Sequence, residues 1–85
     1  MAYTYIVECA DGTYYTGWTT DLDKRLKAHN QGRGARYTRG RGPVRLVYSE
    51  VHTDRRQAQS REEIIKQFSR KEKERLIGCE QNLLK

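Results

Sequence analysis

The sequence predicts a small α+β domain: a three-stranded sheet with packed helices, in the order β-β-α-β-α-α. Three observations carry that reading. Two short runs rich in β-branched and aromatic residues flank the turn signal Ala10-Asp11-Gly12. A third run of the same kind fills residues 44–51. The stretches after the second and third runs show helical periodicity and capping patterns. Because the third strand enters after a helix, the sheet is expected to be antiparallel or mixed. The chain of 85 residues makes one domain, 1–85. A chain this short buries only about 60% of its unfolded surface, so its core is small.

The first strand covers residues 3–9, Tyr-Thr-Tyr-Ile-Val-Glu-Cys, and the second covers 13–18, Thr-Tyr-Tyr-Thr-Gly-Trp. Loop length decides which side chains share a face. A two-residue Asp11-Gly12 loop would set Tyr5 and Tyr15 on opposite faces. A three-residue Ala10-Asp11-Gly12 loop, with Gly12 left-handed in a bulge, places Cys9 opposite Thr13 and Val7 opposite Tyr15. Tyr5 and Tyr15 then share a face, and the three-residue loop is the expectation.

A helix should follow, opened by Thr20 with Asp23 as a weak capping box and stopped near Gly32. Leu22 and Leu26 form its apolar stripe. Arg25 and His29 are spaced i and i+4, so they stack one turn apart beside that stripe. Residues 31–43 hold four glycines and the only proline, and read as a loop. In the third strand, Val44, Leu46, Tyr48 and Glu50 fall on one face by parity. A second helix is expected over about 54–67, opened by Thr53 or Asp54, with Ala58, Ile65 and Phe68 on its core side and Ile64 on the flank. Ser69 and Glu72 form a capping box for a third helix through about Leu76-Ile77. Residues 78–85 carry no strong signal and are expected to fray.

Composition narrows the partners. Hydrophobic residues make up 35% and charged residues 33%, and there are six tyrosines. The formal charge of +6, from 17 Lys and Arg against 11 Asp and Glu, favours polyanions, nucleic acid above all. The plainer reading is a basic, well-solvated surface. Cys9 and Cys79 match no metal spacing, and Cys9 reads as a buried strand residue. No segment is apolar and long enough for a signal peptide or a membrane span, so the chain reads as a cytoplasmic protein.

Three constellations carry chemistry. Residues 31–45 contain Arg33, Arg36, Arg39, Arg41 and Arg45 and no acid. Arginine forks match phosphate oxygens, and Tyr37 offers a stacking surface for a base. Glu62 sits at the rim of the second helix's apolar side. It suits a divalent metal, and equally an ion pair with Arg61 or Lys66. Tyr5, Tyr15, Arg25 and His29 together form a donor-acceptor set suited to a phosphodiester, although tyrosines on a hairpin usually pack and a lone histidine is usually structural.

These residues resemble the GIY-YIG nuclease superfamily over nearly the whole chain. Tyr15-Thr16-Gly17 matches the second motif with one change, and Tyr3-Thr4-Tyr5 matches the first at its final tyrosine. Tyr5 and Tyr15 lie ten residues apart, and Arg25 follows ten residues later, as in the family. Ala58-Gln-Ser-Arg-Glu62-Glu-Ile-Ile-Lys66 looks like the family's metal-binding segment. Asp-Gly-Thr-Tyr-Tyr-Thr-Gly, Arg25-Leu-Lys-Ala-His29-Asn30 and Ala35-Arg-Tyr37-Thr38 are closer still to the small stand-alone bacterial members, and to the nuclease domain of larger structure-specific enzymes. Tyr3 replaces the first motif's glycine, and Thr4 and Thr16 replace isoleucines. The family's late asparagine has no clear match; Glu74 lies near that spacing.

The resemblance implies metal-dependent endonucleolytic hydrolysis of DNA, of the kind used in repair or recombination. Tyr5, Tyr15, Arg25, His29 and Glu62 would form the active site, with Glu62 holding one divalent cation, Mg2+ by expectation. Tyr5, or His29 acting with it, would activate water, and Arg25 would steady the phosphate charge. Tyr15 would bond the phosphate or the water, and the arginine loop would hold the backbone. With no second DNA-binding domain in the sequence, a protein partner would supply specificity. Two rival readings are a nucleic-acid-binding module that barely cuts and a structural RNA-associated protein.

Overall fold

The computed structural model describes residues 1–34 and 36–83, with side chains for all of these except Arg36 and residues 79–83. The expected phosphate contact of Arg36 and the end of the expected frayed segment, residues 84–85, therefore lie outside the described residues. The elements run β1 (Ala2–Glu8), β2 (Tyr14–Thr19), α1 (Leu22–Asn30), a 3-10 turn (Arg36–Thr38), β3 (Arg45–His52), α2 (Arg55–Lys66) and α3 (Arg70–Leu83). The sheet order is β2-β1-β3, and both pairings are antiparallel. This is the expected α+β fold in the expected order. No helix among the described residues is long and apolar enough to cross a membrane.

The hairpin closes through the three-residue loop. Cys9 N–H donates to the Thr13 carbonyl at 2.8 Å and Gly12 N–H to the Cys9 carbonyl at 2.9 Å. Gly12 takes a φ of 83°, the left-handed conformation that costs glycine little. Val7 therefore faces Tyr15 and Tyr5 faces Gly17, which sets Tyr5, Val7 and Tyr15 on one side of the sheet. Cys9 is buried at 4% exposure, and burial pushes its thiol pKa up.

The start of α1 differs from the expectation. Asp21, not Thr20, is the cap: its carboxylate accepts the Lys24 N–H at 3.1 Å. Thr19 supports it by accepting the Asp21 N–H at 3.1 Å. A charged acceptor aimed at an open helix amino terminus wins over a neutral hydroxyl one residue earlier. The other end is as expected. Gly32 adopts a φ of 76°, Gly32 N–H donates to the His29 carbonyl at 3.2 Å and Arg33 N–H to the Ala28 carbonyl at 2.8 Å. That double closure is a Schellman motif.

The parity argument for β3 fails. Val7 pairs with Leu46 while its neighbour Ile6 pairs with Tyr48, so an extra residue is inserted between them. A bulge of this kind reverses which face the following side chains meet. Val44 packs with Tyr5, Val7 and Cys9 on the α1 side, where Tyr15, Leu22 and Leu26 cover them. Tyr48 instead joins Ile6, Ile65 and Ile77 on the α2 and α3 side. The bulge thus lets one short strand supply apolar side chains to both layers of a small core.

α2 is capped by Asp54, whose carboxylate accepts the Gln57 N–H at 2.9 Å. Ala58 and Ile65 are fully buried as expected. Thr4, on β1, donates its hydroxyl to the Ala58 carbonyl at 2.7 Å and so clamps α2 to the sheet. The Ser69–Glu72 box forms in both directions, at 2.9 and 3.2 Å. α3 continues past Ile77 to Leu83, against the expected end. Gly78 costs a helix about 1 kcal/mol, but no proline follows to stop it.

Candidate active site

β1 is the central strand, so Tyr5 is held by both neighbours and is 2% exposed. α1 lies across that face and brings Arg25 and His29 down onto it. His29 is 1% exposed, and its Nε2 lies 2.8 Å from the Tyr5 hydroxyl. Arg25 Nε donates to the same hydroxyl at 3.4 Å. The far nitrogen of the imidazole, Nδ1, is 2.8 Å from the Thr38 hydroxyl.

Donor counting orients this line. Arg25 only donates, so the Tyr5 oxygen accepts from it and the Tyr5 proton points to Nε2. A neutral imidazole accepting at Nε2 carries its proton on Nδ1, and that proton is donated to Thr38. The histidine is neutral for a physical reason: burial, and then the Arg25 charge, hold its pKa below the usual value. Burial raises the Tyr5 pKa, with the bond from Arg25 pulling the other way. The Tyr5 bond in turn raises the Arg25 pKa, and Tyr15 adds to it.

Two glycines make room for this line. A Cβ at position 17 would stand 2.6 Å from the Tyr5 hydroxyl, and one at position 34 would stand 2.2 Å from His29 Nδ1. Gly17 was legible as part of the motif. Gly34 and Thr38 were not assigned a role from sequence; their one signal was that Thr38 belongs to the segment shared with small family members.

Tyr15 packs edge-on against His29, with centroids 5.5 Å apart at 61°. Tyr37 stacks on Tyr15 at 6.0 Å and 23°. The Arg41 guanidinium lies 4.5 Å from the Tyr37 centroid, so Tyr37 already has two stacking neighbours and is a wall of the site. The structure thus gathers Tyr5, Tyr15, Arg25 and His29 in direct contact.

Glu62 stands nearby on α2. Its charge is felt at Tyr5 as the smallest of the causes raising that pKa. The side chain is 13% exposed and its ion pair with Lys66 is long, 3.7 Å. Arg61, the other partner available to it, bonds Glu50 at 2.8 Å, a carboxylate shared with Tyr48 and His52. Among the described residues Glu62 makes no hydrogen bond, and no three His, Cys, Asp or Glu side chains converge as a metal cage. A single nearly covered carboxylate fits a hard cation that keeps most of its waters, as Mg2+ does.

The arginine loop divides. Arg41 bonds Asp11 at 2.8 Å and the Tyr37 carbonyl at 2.7 Å. Arg45 bonds Glu8 at 2.7 and 2.9 Å. These two charges are already matched by acids of the hairpin. Arg33 and Arg39 are exposed and unpaired among the described residues.

Comparison with known proteins places the chain in a family. The family described as the GIY-YIG catalytic domain matches residues 1–75. A UPF0213 protein of Clostridium perfringens is 58% identical over 78 residues, 92% of this chain and 84% of that protein. One from Halobacterium salinarum is 53% identical, covering 91% of this chain and all of that protein's length, 100%. Among solved structures, the UPF0213 protein BH0048 from Bacillus halodurans superposes with a TM-score of 0.60 at 49% identity, covering 93% of this chain and 85% of that one. The protein EF2693 from E. faecalis does so with 0.60 at 36% identity, covering 98% and 86%. The chain belongs to the GIY-YIG family, among its small stand-alone UPF0213 members.

Proposed function

We propose that this chain is a metal-dependent endonuclease that hydrolyses DNA phosphodiester bonds, with Tyr5, Tyr15, Arg25, His29 and Glu62 as its working set. Family membership implies nuclease-type chemistry on nucleic acid, generally with a metal. The observation that carries the finer reading is the hydrogen-bonded line Arg25–Tyr5–His29–Thr38.

A phenol whose pKa lies above its usual value is not ionised near neutral pH, so Tyr5 does not act as a free phenolate. Backed by a neutral imidazole, it does not need to. As the Tyr5 oxygen takes a proton from the attacking water, its own proton passes to His29 Nε2. Thr38 keeps the imidazole in the receiving tautomer. Arg25, anchored by Nε, has the remainder of its fork for the charge that builds on the phosphate. Tyr15 orients the phosphate or the water. Glu62 would hold the cation, which when bound supplies Lewis-acid stabilisation of the leaving oxygen.

The test is cleavage of branched, flapped and single-stranded DNA, with and without Mg2+, beside Tyr5→Phe, Arg25→Ala and Glu62→Gln. Metal-dependent cutting lost in all three variants is the expected result. Cutting that survives Arg25→Ala and Glu62→Gln would rule out this site, and binding without cutting in every divalent metal would favour a non-cleaving module.

A further inference from the structure

The basic surface left unmatched by acids does not end at the arginine loop. Where β2 runs out towards α1, a cleft of about 270 Å3 is lined by Trp18, Thr19, Thr20, Arg25 and Arg55. A second, of about 250 Å3, shares Thr19, Thr20 and Arg25 with it and continues to Asp21, Lys24 and Ala28. The shared lining makes them one trough that passes beside the active-site arginine.

The charges of this trough are free. Arg55 and Lys24 are exposed and bond no acid among the described residues. Arg25 bonds a neutral phenol and so keeps its full charge for a ligand. The one acid in the lining, Asp21, is occupied in capping α1. Trp18, part-buried near the end of β2, lines the same cleft as Arg25 and Arg55. Two arginines and a tryptophan lining one cleft are what a single nucleotide needs: a phosphate clamp and a stacking platform.

We infer that this trough holds the nucleotide next to the scissile phosphate in unpaired form, its phosphate between Arg25 and Arg55 and its base on Trp18. A base inside a duplex already has stacking partners on both faces and cannot take that place. This rests on the nuclease reading for the position of the scissile bond, and it makes a nearby single-stranded nucleotide the recognised feature of the substrate.

Trp18 is the only tryptophan in the chain, so its fluorescence reports directly on the trough. The experiment titrates single-stranded oligothymidylate, and a blunt duplex of equal length, into the full chain carrying Glu62→Gln, which prevents cutting. The expected result is saturable quenching by the single strand and little by the duplex. Arg55→Ala should lower the slope of log affinity against log salt by about 0.7. Trp18→Leu, followed by anisotropy of labelled oligonucleotide, should weaken single-strand binding about fivefold or more. Equal quenching by duplex, or affinity and salt slope unchanged in both variants, would overturn the proposal. The two readings fail separately: cutting by the native chain without any Trp18 response would sink the trough alone. Quenching with no cutting in any metal would sink the nuclease reading and keep the trough as a binding site.

Discussion

An alanine at position 17 would place its methyl carbon 2.6 Å from the Tyr5 hydroxyl oxygen, 2.8 Å from Tyr5 Cζ and 3.0 Å from Tyr15 Cε2. Ordinary contact starts near 3.4 Å, so the Tyr5 oxygen must recede from 2.6 Å to at least that distance. It has little room to do so, because it bonds His29 at 2.8 Å and sits on a strand paired on both sides. Overpacking of this kind costs about 1–3 kcal/mol, which for a domain this size lowers the melting temperature by roughly 5–20 °C. The functional loss should be larger than the stability loss, since a shift of order 1 Å in a positioned group costs about a hundredfold in rate. The comparison variant is Gly12→Ala. That position has nothing within 4 Å but a φ of +83°, so alanine there suffers backbone strain of about 1–2 kcal/mol without touching the Tyr5 hydroxyl. Urea unfolding and metal-dependent cleavage are measured on both. Gly17→Ala should be folded and at least tenfold less active than Gly12→Ala of similar stability. Equal activity of the two would refute the idea that the missing side chain exists to seat the Tyr5 hydroxyl.

Other expectations follow from the same geometry. Thr38→Val keeps the shape but leaves the buried His29 Nδ1–H without its acceptor, and should cost about 1–3 kcal/mol in urea unfolding; a variant as stable as the native chain would show that the bond contributes nothing. His29 titrates below its usual pKa because it is buried, so the folded state binds fewer protons than the unfolded one. The stability this contributes is full above about pH 6.5 and is lost as pH falls through the lowered folded value. The fall in urea midpoint between pH 7.5 and 5 should therefore be smaller in His29→Gln than in the native chain, and an equal fall would contradict it. Thr16 has a buried hydroxyl with no partner among the described residues. Thr16→Val should leave stability unchanged or raise it by about 1 kcal/mol, and a clear drop in melting temperature would mean the hydroxyl is bonded after all.

What was legible in the sequence was what is local. The hairpin, its bulged loop and the glycine stop of α1 each depend on a few adjacent residues, and each formed as read. The pairing of Arg25 with His29 rests on helix periodicity, and it too formed. Failures came where a distant partner or an unmarked irregularity decides. Nothing in Arg45-Leu-Val-Tyr48 announces a bulge, for it holds no glycine or proline, and so the parity of β3 broke unseen. The arginine loop looks uniformly available until the fold brings Asp11 to Arg41 and Glu8 to Arg45. The choice of Asp21 over Thr20 as cap turned on which acceptor met the open helix end. Thr38 needed the loop to fold back nine residues onto His29 before its role existed.

The central position of β1 has a consequence for how the protein fails. Its backbone amides bond to neighbours on both sides, so they exchange with solvent only when the whole sheet opens. Tyr5 is carried on that strand. The hydrogen bond from Tyr5 to His29 is therefore tied to the last cooperative unit to come apart. In rising urea, the Tyr5–His29 pair should survive until the molecule itself unfolds.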